Sequence, residues 1–269
     1  MLDAERNITF IHIPRNAGTS VKLALGFKNL KGSSKHLPYY AYLGYWHHKA
    51  NQREFPFHTE GHKALRVKNP PSAQYVSDFN KSYKFAIVRN PWARVVSAWE
   101  YDNKMLDSDY KDLVANPYSK SSRAWVDRRR RFIKNYRKAN GSSFKDFIDN
   151  LSHTWFGEDG QRAYVNVNEA KLPYKGFFPY HWIRWHGHSQ CTFVHGPDNK
   201  LMVDSILRAE DLDNDWPKLM EQVKLDVTLP SVNVASKESY QQYYTEESMV
   251  DAVTRRYIHD VNIFDYTFM

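Results

Sequence analysis

Short apolar runs alternate along this chain with segments of helical period, and each run is closed by a small or proline-containing turn. Ile8 to Ile13 is β-rich, stops at Pro14 and a turn of small residues, and gives way to a helical stretch from Ser20 to Leu25. Lys84 to Val88 forms a second such run. Pro91 then falls where a first-turn proline belongs, opening a helix through about Lys104. Cys191 to His195 and Leu201 to Leu207 flank Gly196-Pro197-Asp198-Asn199 and predict a hairpin, or two adjacent strands joined by a four-residue turn. Strands interleaved with helices predict an α/β fold whose central, mostly parallel sheet is flanked by helices on both faces.

The intervening segments carry their own punctuation. Ser72 predicts the cap of a short helix ending near Asn80, and Ser142 or Ser143 caps another with Phe144, Phe147, Ile148 and Leu151 on one face. Asp211 to Lys224 predicts a helix. A last one starts at Thr245-Glu246-Glu247, with acids in its first turn, and runs to about Asp260. The long stretch from Lys28 to Asn69 is aromatic, histidine-rich and without period, which suggests an ordered loop region or a cover over a site.

At 269 residues, without a Pro/Gly/Ser-rich linker, the chain is expected to form one domain over residues 1–269. Cys191 is the only cysteine, so no intramolecular disulfide can form and a reducing, cytoplasmic setting is expected. The polar stretch before Ile8 leaves no room for a signal peptide, and no run approaches a membrane span, so a soluble protein is expected.

The formal charge of +8 is unevenly placed. Between Arg123 and Lys138 stand eight basic residues and one acid, Asp127. Such a segment either attracts an anionic polymer or forms the solvated face of a helix that turns Trp125, Phe132 and Tyr136 inward.

The chemistry concentrates in the two strand-to-helix turns. In the first, Gly18 permits close backbone approach, Thr19 and Ser20 sit at a helix start, and Arg15 adds a full charge, together suiting an anion. The pattern of two glycines followed by Lys and Ser/Thr is absent, which disfavours an ordinary ATP-hydrolysing loop. In the second, Arg89 stands at the C-terminal end of a strand and Ser97 roughly two turns into the helix, so guanidinium and hydroxyl can converge on one phosphate.

Together these segments resemble the sulfotransferases that use 3′-phosphoadenosine 5′-phosphosulfate (PAPS), especially soluble relatives of the membrane-bound, Golgi-type carbohydrate sulfotransferases. In that family a Pro-Lys-x-Ala-Gly-Thr-Ser-like loop holds the 5′-phosphosulfate and an Arg-x-Pro-x-x-Arg-x-x-Ser stretch holds the 3′-phosphate. Pro14, Ala17, Gly18, Thr19 and Ser20 match the first, and Arg89, Pro91, Arg94 and Ser97 the second. The likeness extends to Ile206–Leu212, to Tyr243–Glu247 and to Phe264–Phe268. It implies a P-loop-like sulfotransferase fold and in-line sulfuryl transfer from PAPS to an acceptor hydroxyl or amine, with a glycan as the acceptor and no metal required in principle.

The resemblance also implies roles. Arg15, Asn16, Ala17, Gly18, Thr19 and Ser20 would hold one end of PAPS, and Arg89 with Ser97 the other. Lys237, in a late loop resembling one that folds over the nucleotide, would join them. Arg15 stands where the family carries lysine; it keeps the charge but is not a compact ammonium. His62 occupies the place of a histidine that precedes the second motif, and is expected to act as general base with Arg15 at the leaving phosphate. His58, a carboxylate, or no side-chain base remain alternatives.

Other features stay open at the level of sequence. His181, His186, His188, Cys191 and His195 lie close together, but their spacing is not a common zinc pattern, and no metal is expected. Tyr39, Tyr40, Tyr42, Tyr45 and Trp46 either stack on sugar faces or fill a subsidiary core. Two rival functions are a kinase with an unusual phosphate loop and a non-enzymatic binder of polyanions.

Overall fold

The computed structural model describes residues 1–27, 72–115, 143–154, 189–195, 200–230 and 239–269. Among these, four strands form one sheet: β1 (Leu2–Asp3), β2 (Ile8–Ile11), β3 (Tyr83–Val88) and β4 (Ser205–Arg208), in the order β1-β2-β3-β4. β1 is an antiparallel edge, with Leu2 opposite Thr9. The remaining pairs are parallel, with Ile11 opposite Ala86 and Val88 opposite Arg208. The expected α/β architecture with a mostly parallel sheet is therefore present.

Side chains alternate across the strands, and both faces are covered, as parallel sheets require. Ile11, Ala86 and Val88 point to one face. They pack there with α3 (Pro91–Ala115), α4 (Phe144–Thr154), α5 (Cys191–Val194) and α7 (Glu247–Arg256) through Val95, Val96, Phe147, Phe193 and Val253, and Phe79 of α2 (Ala73–Lys81) joins them. Ile8, Phe10, Phe85, Ile87 and Leu207 point to the other. There they meet α1 (Gly18–Ala24) and α6 (Leu212–Gln222) through Val21, Leu25, Trp216 and Leu219. A last helix, α8 (Ile258–Ile263), follows α7. No helix among the described residues is long and apolar enough to cross a membrane.

Local signals place several ends correctly. The Ser72 hydroxyl accepts the Tyr75 N–H at 3.1 Å and caps α2. At α4 the Ser143 hydroxyl accepts the Asp146 N–H at 3.1 Å while the Asp146 carboxylate accepts the Ser143 N–H at 3.2 Å, a reciprocal capping box. Phe144, Phe147 and Ile148 are buried as their spacing predicts.

Three expectations need correction. The helix opened by Pro91 runs past Lys104 to Ala115. Cys191 to His195 is not a strand: Cys191–Val194 is a short helix, and the expected hairpin reduces to one antiparallel bridge between His195 and Leu201, with β4 starting only at Ser205. The cause is a carboxylate, because Asp260 accepts the N–H groups of Gln190 and Cys191 and so favours a helix start there. The third concerns the expected helix from Thr245 to Asp260, which breaks at Tyr257, where φ is −115° and ψ 30°. Tyr257 is buried at the break, and the new direction carries Asp260 to Gln190.

Phe85 sits at the centre of the second face, stacked on Phe10 at 5.0 Å between ring centroids and edge-on to Trp216 at 6.2 Å. Phe85→Ala is expected to cost about 3–5 kcal/mol of stability, the usual range for emptying such a position. Urea unfolding of the two proteins measures it.

Candidate functional site

β2 and β3 lie side by side and parallel, so the turns that follow them meet at one edge of the sheet. The first turn, from His12 to Ala17, is bent by two non-glycine residues in left-handed backbone, Arg15 at φ 70° and Ala17 at φ 53°. Such conformations cost on the order of 1–2 kcal/mol each and persist only when neighbours hold them. Here the neighbours are identifiable. Arg94 Nε donates to the Pro14 carbonyl at 3.2 Å, Arg89 Nη1 to the Arg15 carbonyl at 3.3 Å, and Asn16 Nδ2 to the Ile87 carbonyl at 2.7 Å.

Gly18 follows as the first residue of α1, and its lack of a side chain is a packing requirement. A Cβ there would lie 1.7 Å from Nε2 of His12, whose ring is buried against the turn. The Ala17 N-cap brings no side-chain oxygen to the start of α1. Ser20 is buried and Thr19 exposed.

The second turn is fixed by Asn90. Its Oδ1 accepts the N–H groups of Trp92 and Ala93 at 3.1 and 3.3 Å, capping α3, while its own N–H donates to Glu210 at 2.7 Å. From that start α3 places Arg94, Ser97 and Tyr101 along one face, at helical spacings of three and four. The Arg15 side chain reaches across to this face. Its Nε and Nη2 donate to Ser97 Oγ at 3.3 and 3.0 Å, and its guanidinium lies 4.3 Å over the Tyr101 ring.

The structure thus brings Arg15, Asn16, Gly18, Arg89 and Ser97 together, with Arg89 joined to Ser97 through Arg15. His62, His58 and Lys237 lie outside the described residues, as do the basic segment from Arg123 to Lys138, the aromatic cluster from Tyr39 to Trp46, and His181, His186 and His188.

Burial pushes the Arg89 guanidinium below its ordinary range, and Glu210 and then Glu100 push it back. Arg94 is pushed down by complete burial, with Tyr257 and Asp260 acting in the opposite sense. Both remain cations, because an arginine starts far above neutral pH. The edge therefore concentrates positive charge and directional N–H donors, a combination that binds tetrahedral oxyanions.

Gln190 and Asp260 are contributors that sequence reasoning missed. Gln190 Oε1 accepts from the Arg89 N–H at 2.9 Å and from Asn16 Nδ2 at 2.6 Å, while its Nε2 donates to the Arg89 carbonyl at 2.8 Å. Asp260 holds Gln190 in turn, accepting its N–H at 2.8 Å and that of Cys191 at 2.9 Å. No pattern in the chain announces either residue. Their partners are distant in sequence, Asn16 and Arg89 for Gln190 and Ser189 to Cys191 for Asp260.

Cys191 is fully buried, and burial followed by the Asp260 charge pushes its thiol up, away from the thiolate that metals take. Among the described residues no group of three or more His, Cys, Asp or Glu side chains is arranged to hold a metal.

A family model described as the sulfotransferase family matches residues 1–268. No curated protein and no solved structure matches the chain.

Gly18→Ala forces the buried His12 ring to move, and the expected cost is about 1–3 kcal/mol, as for other overpacked sites. Urea unfolding checks this; an unchanged midpoint would show that the ring turns aside freely.

Proposed function

Starting from the fact that the chain belongs to the sulfotransferase family, we propose that it transfers a sulfuryl group from PAPS to an acceptor hydroxyl or amine. A carbohydrate is the acceptor class favoured by the likeness to carbohydrate sulfotransferases. The observation that carries the donor assignment is the meeting of Arg15, Arg89 and Ser97. Arg15 and Ser97 are 82 residues apart in sequence yet hydrogen-bonded, at the edge where parallel strands end.

The donor set fits a nucleotide phosphorylated at both ends. In this reading the P-loop-like turn from Arg15 through Asn16, Ala17, Gly18 and Thr19 to Ser20 takes the 5′ end. Arg89 and Ser97 take the 3′-phosphate, with Lys237 from the late loop. Gly18 supports the reading indirectly: the His12 ring packs where a Cβ would lie, which lets the turn stay tight at the start of α1. Arg89 has one side-chain hydrogen bond among the described residues, to the Arg15 carbonyl, and a guanidinium carries five N–H donors.

PAPS supplies an activated sulfuryl group whose leaving group is a nucleotide phosphate. For this chain's residues the work is then positioning, charge compensation and proton removal. Arg15 offsets charge on the departing phosphate. His62 takes the proton from the acceptor, a task to which the imidazole side chain is suited. The basic segment from Arg123 to Lys138 offers a contact for an anionic acceptor polymer, and the single cysteine fits a cytoplasmic setting.

Calorimetry tests the nucleotide assignment. Wild type should bind 3′-phosphoadenosine 5′-phosphate more tightly than AMP, without added Mg²⁺, and Arg89→Ala should weaken the former by about tenfold or more, the scale of one charged phosphate contact. Equal affinity of the wild type for both ligands would overturn the assignment of Arg89 and Ser97. His62→Ala is expected to lower turnover by about 10²-fold or more while leaving nucleotide affinity within about twofold. Turnover that survives the substitution removes His62 from the mechanism. A sulfate-transfer assay across glycans, phenols and steroids, run in EDTA, identifies the acceptor.

A further inference from the structure

Two anion-binding segments separated by tens of residues must be held at a fixed spacing if one ligand is to span them. The strand pairing fixes β2 against β3 only as far as Ile11 and Ala86, and both segments lie beyond it. Past that point the segments touch each other directly, through Asn16 on Ile87, Arg89 on Arg15, Arg94 on Pro14 and Arg15 on Ser97, and Gln190 bonds to both from a third segment of the chain.

We propose that Gln190 is a positioning residue that sets the separation between the two ends of the nucleotide site, a role that rests on the function proposed above. Its amide touches both segments at once. Oε1 accepts from Asn16 Nδ2 in the first turn and from the Arg89 N–H in the second, and Nε2 donates to the Arg89 carbonyl. This acceptor and donor pair on one residue is what a neighbouring strand would present to Arg89. The amide orientation is determined, since only this one gives the two incoming N–H groups an oxygen and the carbonyl a donor.

Gln190 is itself immobilised. It and Asn16 have no solvent exposure, and its backbone N–H is fixed on the buried Asp260 carboxylate at 2.8 Å. The bracket therefore runs from α8 through Gln190 to both turns. Its physical effect is on spacing. A ligand that uses both ends gains from the second contact only when the two sites stand at the distance its phosphates span, whereas a ligand using one end is indifferent to that distance. Gln190 contributes to the recognition of two phosphates together without contacting either.

Gln190→Met keeps the volume and removes all three side-chain hydrogen bonds. The experiment measures, by calorimetry on the full chain, the affinities of 3′-phosphoadenosine 5′-phosphate, AMP and adenosine 3′-phosphate, with the thermal midpoint recorded alongside. The expected result is about a tenfold loss for the doubly phosphorylated ligand and less than a twofold change for each monophosphate. Should Gln190→Met not accumulate as folded protein, Gln190→Asn carries the same test, since it keeps a neutral amide at this position but one methylene short of the Asn16 and Arg89 partners. Equal losses for all three ligands, or none, would overturn the positioning role while leaving the nucleotide site standing. A wild type that binds the doubly phosphorylated ligand no better than AMP would instead overturn the function on which the role rests.

Discussion

Parallel pairing of β2 with β3, Ile11 opposite Ala86, is the constraint on which the rest of the structure depends. It obliges both strands to end at the same edge, so that the turn after each faces the other. It also buries the strands on two sides, which is why helices are needed on both faces and why Phe10 and Phe85 stack at 5.0 Å on one of them. Once those layers are in place, Arg15 and Ser97 are brought within 3.0 Å by the position of the helix that follows the second strand. Arg15 and Ser97 therefore meet without a long reach.

Concentrating cations at such an edge carries a cost in desolvation, and Arg94 shows how it is met. The residue is 2% exposed, which would be prohibitive for an isolated charge. It donates to the Pro14 carbonyl, lies 5.9 Å from the centre of the Tyr257 ring, and feels the Asp260 carboxylate, itself fully buried. Asp260 is satisfied separately by Ser189, Gln190 and Cys191. Each buried charge thus has directional partners of its own. Arrangements of this type add little net stability, but losing a single member is costly, because the remaining groups are left buried and unmatched.

What was legible in the sequence divides along this line between near and far partners. The runs at Ile8 and Lys84, the Ser72 cap and the burial of Phe144, Phe147 and Ile148 are decided by residues within a few positions, and the period or the cap residue reveals them. That Arg15, Arg89 and Ser97 gather at one edge was also readable, since each stands in or just after a strand-to-helix turn and the two strands are neighbours. Cys191 to His195 reads as a strand because its apolar period is ambiguous, and only a carboxylate 69 residues away from Cys191 makes it helical. The break at Tyr257 has the same origin. A continuous helix satisfies local propensity, whereas the bend satisfies Arg94 and Gln190, neither of which is visible from the residues around it.

The distances in sequence within the bracket have a temporal meaning. Asn16 and Gln190 are 174 positions apart, and Gln190 and Asp260 a further 70. At about 5–20 residues per second, synthesis takes roughly 12–50 s to travel from the first turn to the helix that anchors it. During that interval Arg15 and Ala17 have no complete set of neighbours to hold them in left-handed backbone, and contacts of such long range are slow to close even after the chain is finished. The docking of α8 is therefore the event that completes the edge of the sheet, and on the ribosome the first binding turn is made long before it acquires its full set of contacts.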